Sequence, residues 1–185
     1  MQTQDLSTLS DLAVGVQSGE DTSRQVLPTA TGFAARQAIA ALRKRDIEVA
    51  PLLRRVGLSE RALDNRQHRI SAVAQVKLLE CAAEALGDSA FGLHLAQQSN
   101  PREVGLLFYV ASAAKTIGEA LTLYGRYCRI VNEAVRLKAT RSPERVSVQL
   151  HFVGLPRHLA RQNVEFMTAA STKGLREIAA RAAPQ

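Results

Sequence analysis

The spacing of apolar residues along this chain changes period twice, and that change constrains the fold class more than any other feature. Up to about Val131 they recur every three or four positions, as one face of a helix requires. Over 135–152 they alternate, as one face of a strand requires, and after Pro156 the helical spacing returns. In the alternating block, "VRLKAT" (Val135 to Thr140) and "RVSVQLHF" (Arg145 to Phe152) flank the turn-forming "RSPE" and read as a β-hairpin. Val146, Val148, Leu150 and Phe152 share one face of the second strand, expected to be core; Ser147, Gln149 and His151 share the other, expected to meet water or a cavity. Helices, one hairpin, then a long C-terminal helix make an α+β domain that is mostly helical. Aromatic residues are only 4% and Trp is absent, so the core has to be built from Leu, Val, Ile and Ala.

Local signals place the helices. "FAARQAIAALRKR" (Phe33 to Arg45) ends in a cationic cluster that suits the negative end of a helix dipole. A second helix, about Val49 to Val56, carries Pro51 in its first turn and stops at Gly57. Ser59 is placed to cap the short "ERALDN". Ser71 opens a long amphipathic helix with Val73, Val76, Leu79, Ala83 and Leu86 on one face, closed by Gly87. "SAFGLHLAQQS" is a further short helix, separated by Pro101 from an apolar run at 105–111 that suits a buried helix or a strand equally. Thr116 with Glu119 forms a capping box ahead of "ALTLYGRYCRIVN". The last helix is expected to start at Pro156 and run nearly to the end, with a weak point at Gly174.

Residues 1–30 are rich in Ser, Thr, Gln, Gly and Asp and predict a mobile leader; 31–185 read as one domain. The net charge of +7 favours an anionic partner, but the bases are mostly scattered arginines at helical spacing, the pattern of a solvated surface. Cys81 and Cys128 lie in apolar helical stretches without metal-ligand spacing, which predicts buried free thiols in a reducing compartment. No signal peptide and no apolar run of spanning length occurs in the sequence, so a cytoplasmic protein with no membrane partner is expected.

Catalysis is not written into the sequence. His68, His94, His151 and His158 have no partner spacing, and there is no zinc-protease signature, nucleophile elbow, phosphate-cradling loop or dinucleotide fingerprint. The expectation is a protein that is not an enzyme and needs no cofactor or metal. "RRVGLSERALDN" (Arg54 to Asn65) raises a different possibility, a helix-turn-helix in a basic chain. Gly57 and Leu58 fit the turn and Leu63 fits one anchor, but Leu53 stands where a small residue is needed and the second anchor falls on Arg66.

Several ordered blocks carry a resemblance that spans about Gly57 to Ile178. They are "GLS" followed by "RI", then "LLECAAEALGDSAFGLHLA", then "GLLFYVASAAKTIGEAL", then "RYCRIVNEAVRL", and finally "QNVEFMTAASTKGLREI". Together they resemble the N-terminal effector domain of AraC/XylS-type transcriptional regulators, in the branch called arabinose-binding. The resemblance implies a ligand-sensing regulatory domain with a small-molecule effector, able to form a homodimer, with DNA read only through a separate C-terminal helix-turn-helix domain that this sequence lacks. It also implies further strands after Gln185, so the sensor domain is expected to be incomplete, as a shortened or a stand-alone relative. Candidate ligand-binding residues are the concentrated aromatics Phe108, Tyr109, Tyr124 and Tyr127 with the neighbouring Arg126 and Arg129. Two other functions fit the same sequence: a basic DNA-binding module using residues 54–65, and a stand-alone interaction protein that modulates a full-length regulator.

Overall fold

The computed structural model describes residues 27–142, 144–153 and 159–182. A short strand, β1 (Thr29–Ala30), precedes helices α1 (Phe33–Arg43), α2 (Val49–Arg55) and α3 (Glu60–Asp64). Strand β2 (Ile70–Ser71) leads into α4 (Ala72–Leu86) and α5 (Phe91–Gln98). A 3-10 turn (Pro101–Val104) follows, then α6 (Leu106–Ser112) and α7 (Ile117–Val131). The hairpin β3 (Val135–Arg141) and β4 (Val146–Phe152) precedes the long α8 (Arg161–Ala182). The two antiparallel sheets are separate, β1 with β2 and β3 with β4, and the fold is α+β and mostly helical.

Helix ends follow the local chemistry. The hydroxyls of Ser59 and Ser71 accept from Ala62 N–H at 3.2 Å and Ala74 N–H at 3.3 Å. Thr116 Oγ1 accepts from Glu119 N–H at 3.1 Å, while the Glu119 carboxylate reaches back to Lys115 N–H at 2.8 Å, one residue before the cap. Gly57 and Gly87 adopt φ of 71° and 61°, which lets Leu58 N–H reach Leu53 O at 2.9 Å and Asp88 N–H reach Ala83 O at 3.0 Å. The ambiguous run at 105–111 is helical, because Gly105 starts α6 and the segment must bury Leu107, Phe108 and Ala111 against its neighbours.

The main core joins α1, α2, α4, α5 and α8 through Leu42, Leu53, Leu78, Leu79, Phe91 and Phe166, with the Phe33 and Phe166 rings 5.9 Å apart. Cys81 and Cys128 are buried free thiols, as their apolar surroundings predict, and burial pushes both thiols up from their ordinary value. Helix α5 lies directly on α8. Gly92 N–H donates to Gln162 Oε1 at 2.8 Å, and a Cβ on Gly92 would fall onto the backbone carbonyl of Gln162.

Three expectations need correction. The leader of residues 1–30 lies outside the described residues as far as 26, but its last part belongs to the fold. Thr29 and Ala30 pair with β2, Ala30 also bridges Asn132, and the Glu133 carboxylate accepts from both Thr29 N–H and Thr29 Oγ1 at 2.8 Å. These bonds hold Glu133 below the usual carboxylate range. The last helix starts at Arg161, with Pro156 outside the described residues, and passes through Gly174 unbroken. The apolar face of β4 is core only at its end, where Leu150 and Phe152 pack beneath α7; Val146 and Val148 are 52% and 44% exposed. Alternation fixes which residues share a face, and nothing in the described residues covers the outer half of this one.

Two glycines give opposite expectations. Gly92→Ala forces α5 off α8 and is expected to cost about 2–3 kcal/mol. Gly174→Ala adds a Cβ that meets only Pro101 Cβ at 3.6 Å, and should stabilise by about 0.5–1 kcal/mol through helix propensity. Urea unfolding of the two variants beside the parent measures both signs.

Candidate functional site

Helix α8 presents one long face toward α1, the 3-10 turn, α6 and α7, and a partly open cavity lies along it. Phe166, Ala170, Gly174 and Ile178 recur at helical spacing on that face, joined by Met167, Ser171 and Leu175 from the adjoining row. Small side chains at Ala170, Ser171 and Gly174 make the room, since the opposing helices are held apart by Phe33 and Phe108. The centre of a water molecule has ≈ 60 Å³ to move in, several times the ~10–15 Å³ that one water needs. The walls are mainly apolar, and none of the eighteen lining residues is an acid, a base or a histidine.

A few polar groups interrupt the apolar wall. Tyr124 OH and Ser171 Oγ form a hydrogen bond of 2.7 Å between α7 and α8, and burial pushes the Tyr124 phenol up from its ordinary value. Asn132, buried where α7 ends, spends its Oδ1 on Ala134 N–H at 3.0 Å. Gln75 enters from α4, only 4% exposed, its Nε2 donating to Asn163 Oδ1 at 3.5 Å. Its Oε1 has no partner among the described residues.

The six aromatic and basic candidates divide. Phe108 and Tyr124 line the cavity. Tyr109, one residue on, points outward and is 60% exposed, although its ring meets Phe108 edge-on at 5.7 Å. Tyr127 packs with Cys128, Val135 and Leu150 under the hairpin. Arg126 is exposed and lies over the Tyr127 ring at 5.5 Å, and Arg129 is exposed as well. Reading along α7 brings Tyr124 and Tyr127 near one another but does not reveal that α8 covers only the first. Gln75 was missed, although a signal existed. It shares the helical face of Ala72, Leu79 and Ala83, so a polar side chain stands where the period demands an apolar one.

The family profile described as the arabinose-binding domain of AraC transcription regulators, N-terminal, matches residues 47–185. The chain belongs to this family. In this AraC-type domain the matched segment contains α2 onward, hence all of α4, α6, α7 and α8 that surround the cavity, while α1 lies before it. No curated protein matches the sequence at a significant level. Among the described residues there is no cluster of three metal-ligating side chains and no helix long and apolar enough to cross a membrane.

The segment 54–65 of the AraC-type domain runs from the end of α2 through the turn and α3 along the surface, anchored to the core by Val56 and Leu63. Leu63 is buried and Leu58 half-buried, while α3 is only five residues long and begins and ends in carboxylates, Glu60 and Asp64. Under two turns of helix with that charge is poorly suited to a major groove.

Tyr124→Phe removes the bond to Ser171 and is expected to cost about 1 kcal/mol near neutral pH. The phenol's pKa is raised by folding, so its stabilising contribution is complete below the ordinary tyrosine value of 10.0 and is lost as pH rises through the higher folded value. Unfolding curves taken between neutral and strongly alkaline pH should therefore converge for the parent and Tyr124→Phe.

Proposed function

We propose that this chain is the ligand-sensing part of an AraC-type regulator, binding a small metabolite in the cavity between α7 and α8 and forming a dimer in the cytoplasm. It works by binding and not by catalysis, and DNA is read by a separate helix-turn-helix domain. The single observation that supports this most is the mainly apolar cavity with few polar groups, lined mostly by the family-matched segment. A dimer is supported by the apolar side chains left on the surface, Val146 and Val148 on the hairpin and Leu106 on α6.

A ligand that binds only the folded form raises stability by mass action, about 2.7 kcal/mol at a hundred times its Kd. A thermal-shift screen of small metabolites should give at least one saturable rise in Tm, lost when Ala111→Val narrows the cavity. A broad screen without any such rise would remove the sensor reading. In a salt series the chain should show no sequence preference for duplex DNA, because the basic residues at 54–66 are dispersed and partly paired, Arg55 with Glu84 at 3.3 Å. Light scattering over a range of concentrations checks the dimer.

A further inference from the structure

The cavity wall contains no formal charge, and one buried hydrogen-bonding atom in it is left over. The side chains of Thr31, Gln75, Tyr124, Asn132 and Ser171 supply its polarity, and no Lys, Arg, His, Asp or Glu lines it. The cations nearest in sequence to its lining tyrosine, Arg126 and Arg129, are exposed on the outside of α7. Arg181 lies over the outer side of Phe108 at 5.8 Å, but donates to Glu177 at 2.9 Å and is half exposed. A carboxylate or an ammonium placed in the cavity would lose its hydration with no counter-charge, a far larger penalty than burying a ring can return. A neutral molecule carries no such penalty.

The unpartnered atom selects among neutral molecules. Tyr124 and Ser171 bond to one another, and Asn132 Oδ1 accepts from Ala134 N–H. Gln75 meets the fully buried Asn163 through one long bond, Nε2 to Oδ1 at 3.5 Å, which leaves Gln75 Oε1 as an acceptor without a donor and Asn163 Nδ2, outside the wall, as a donor without an acceptor among the described residues. A buried acceptor of this kind is costly unless a donor reaches it. Phe33, Phe108, Phe166 and Met167 make the rest of the wall suited to a flat ring.

We propose that the effector of this domain is a neutral amphiphile about the size of one ring, bearing an O–H or N–H that donates to Gln75 Oε1. The assignment rests on the sensor reading above and specifies its ligand. Anionic and cationic metabolites are excluded by the wall, and Gln75 is the specificity-determining residue.

Calorimetry at neutral pH on the unaltered chain with benzamide, benzoate, benzylammonium, benzyl alcohol and toluene tests this directly. Benzamide should bind at least about tenfold more tightly than benzoate, its isostere, or benzylammonium. In Gln75→Met the preference for benzyl alcohol over toluene should fall by about three- to tenfold relative to the parent, the worth of one neutral hydrogen bond. Folding of the variant is checked by its unfolding curve, and the comparison of benzamide with benzoate needs no variant. If either charged probe binds as tightly as benzamide, the neutral-ligand assignment falls while the sensor reading stands. If no probe binds at millimolar concentration the assignment also falls, and the metabolite screen then decides the sensor reading on its own. An unchanged alcohol preference in a folded Gln75→Met would remove Gln75 from the site.

Discussion

The contact between Gln162 and the start of α5 is the joint on which the rest of the domain is assembled. Its side chain accepts from Gly92 N–H at 2.8 Å and donates to Ser89 O at 3.1 Å, while its backbone N–H donates to the Glu80 carboxylate at 2.8 Å. One residue near the N-terminal end of α8 thereby holds α4, the turn before α5 and α5 itself. Further along, Lys173 Nζ caps the free carbonyls of Gln97 and Ser99 at 2.6 and 2.7 Å. With α5 tied at both ends, the face of α8 bearing Phe166, Ala170 and Gly174 has a fixed rotation, and that rotation decides what lines the cavity.

Charge is kept out of the cavity wall, while the joint itself includes one carboxylate, that of Glu80. The ion pairs Arg43 with Glu60 and Arg55 with Glu84 lie at the surface, where solvent reduces each to a small contribution, while those of Arg102 with Glu177 and Arg161 with Glu165 are exposed mainly on the arginine side. The buried polar residues are almost all neutral amides, Gln75, Asn132, Gln162 and Asn163. Glu80 is the nearest exception, half-buried, and burial pushes its carboxyl up despite the bond from Gln162. The charge of +7 thus governs the outside of the molecule and says little about what its interior accepts.

What was legible in the sequence was local. Ser59, Ser71, Thr116, Gly57 and Gly87 announce helix ends because a cap bonds to atoms within a few residues of itself. The hairpin was equally accessible but its register was not, since a turn at 141–144 would set Val135 opposite Leu150, and it pairs with Phe152. Gly92 was not, because its requirement comes from Gln162, seventy positions away. Coverage was not legible either: Val146 and Phe152 look alike in the alternation, but only Phe152 packs against the cluster of Leu107, Cys128 and Val135. For the same reason Phe108 and Tyr124 reached the cavity while Tyr109 and Tyr127, chosen on identical grounds, lie elsewhere. The useful clue was an interruption of pattern, a glutamine on an apolar helical face, more than a concentration of aromatic residues.

An opening left in a close-packed interior is a mechanical feature as well as a binding site. Atoms around it lack dispersion partners that the rest of the core enjoys, so the surrounding elements are held there by contacts elsewhere, the Gln162 joint on one side and the bond between Tyr124 and Ser171 on the other. Helix α7 forms one wall and runs through Asn132 into β3, and Gly125 lies so close to β3 that a Cβ there would be 3.1 Å from Leu137 O. A shift of α7 relative to α8 therefore cannot be absorbed within α7; it moves the hairpin. The spacing of those two helices beside the cavity rests on small side chains on α8 and the one hydrogen bond from Tyr124 to Ser171.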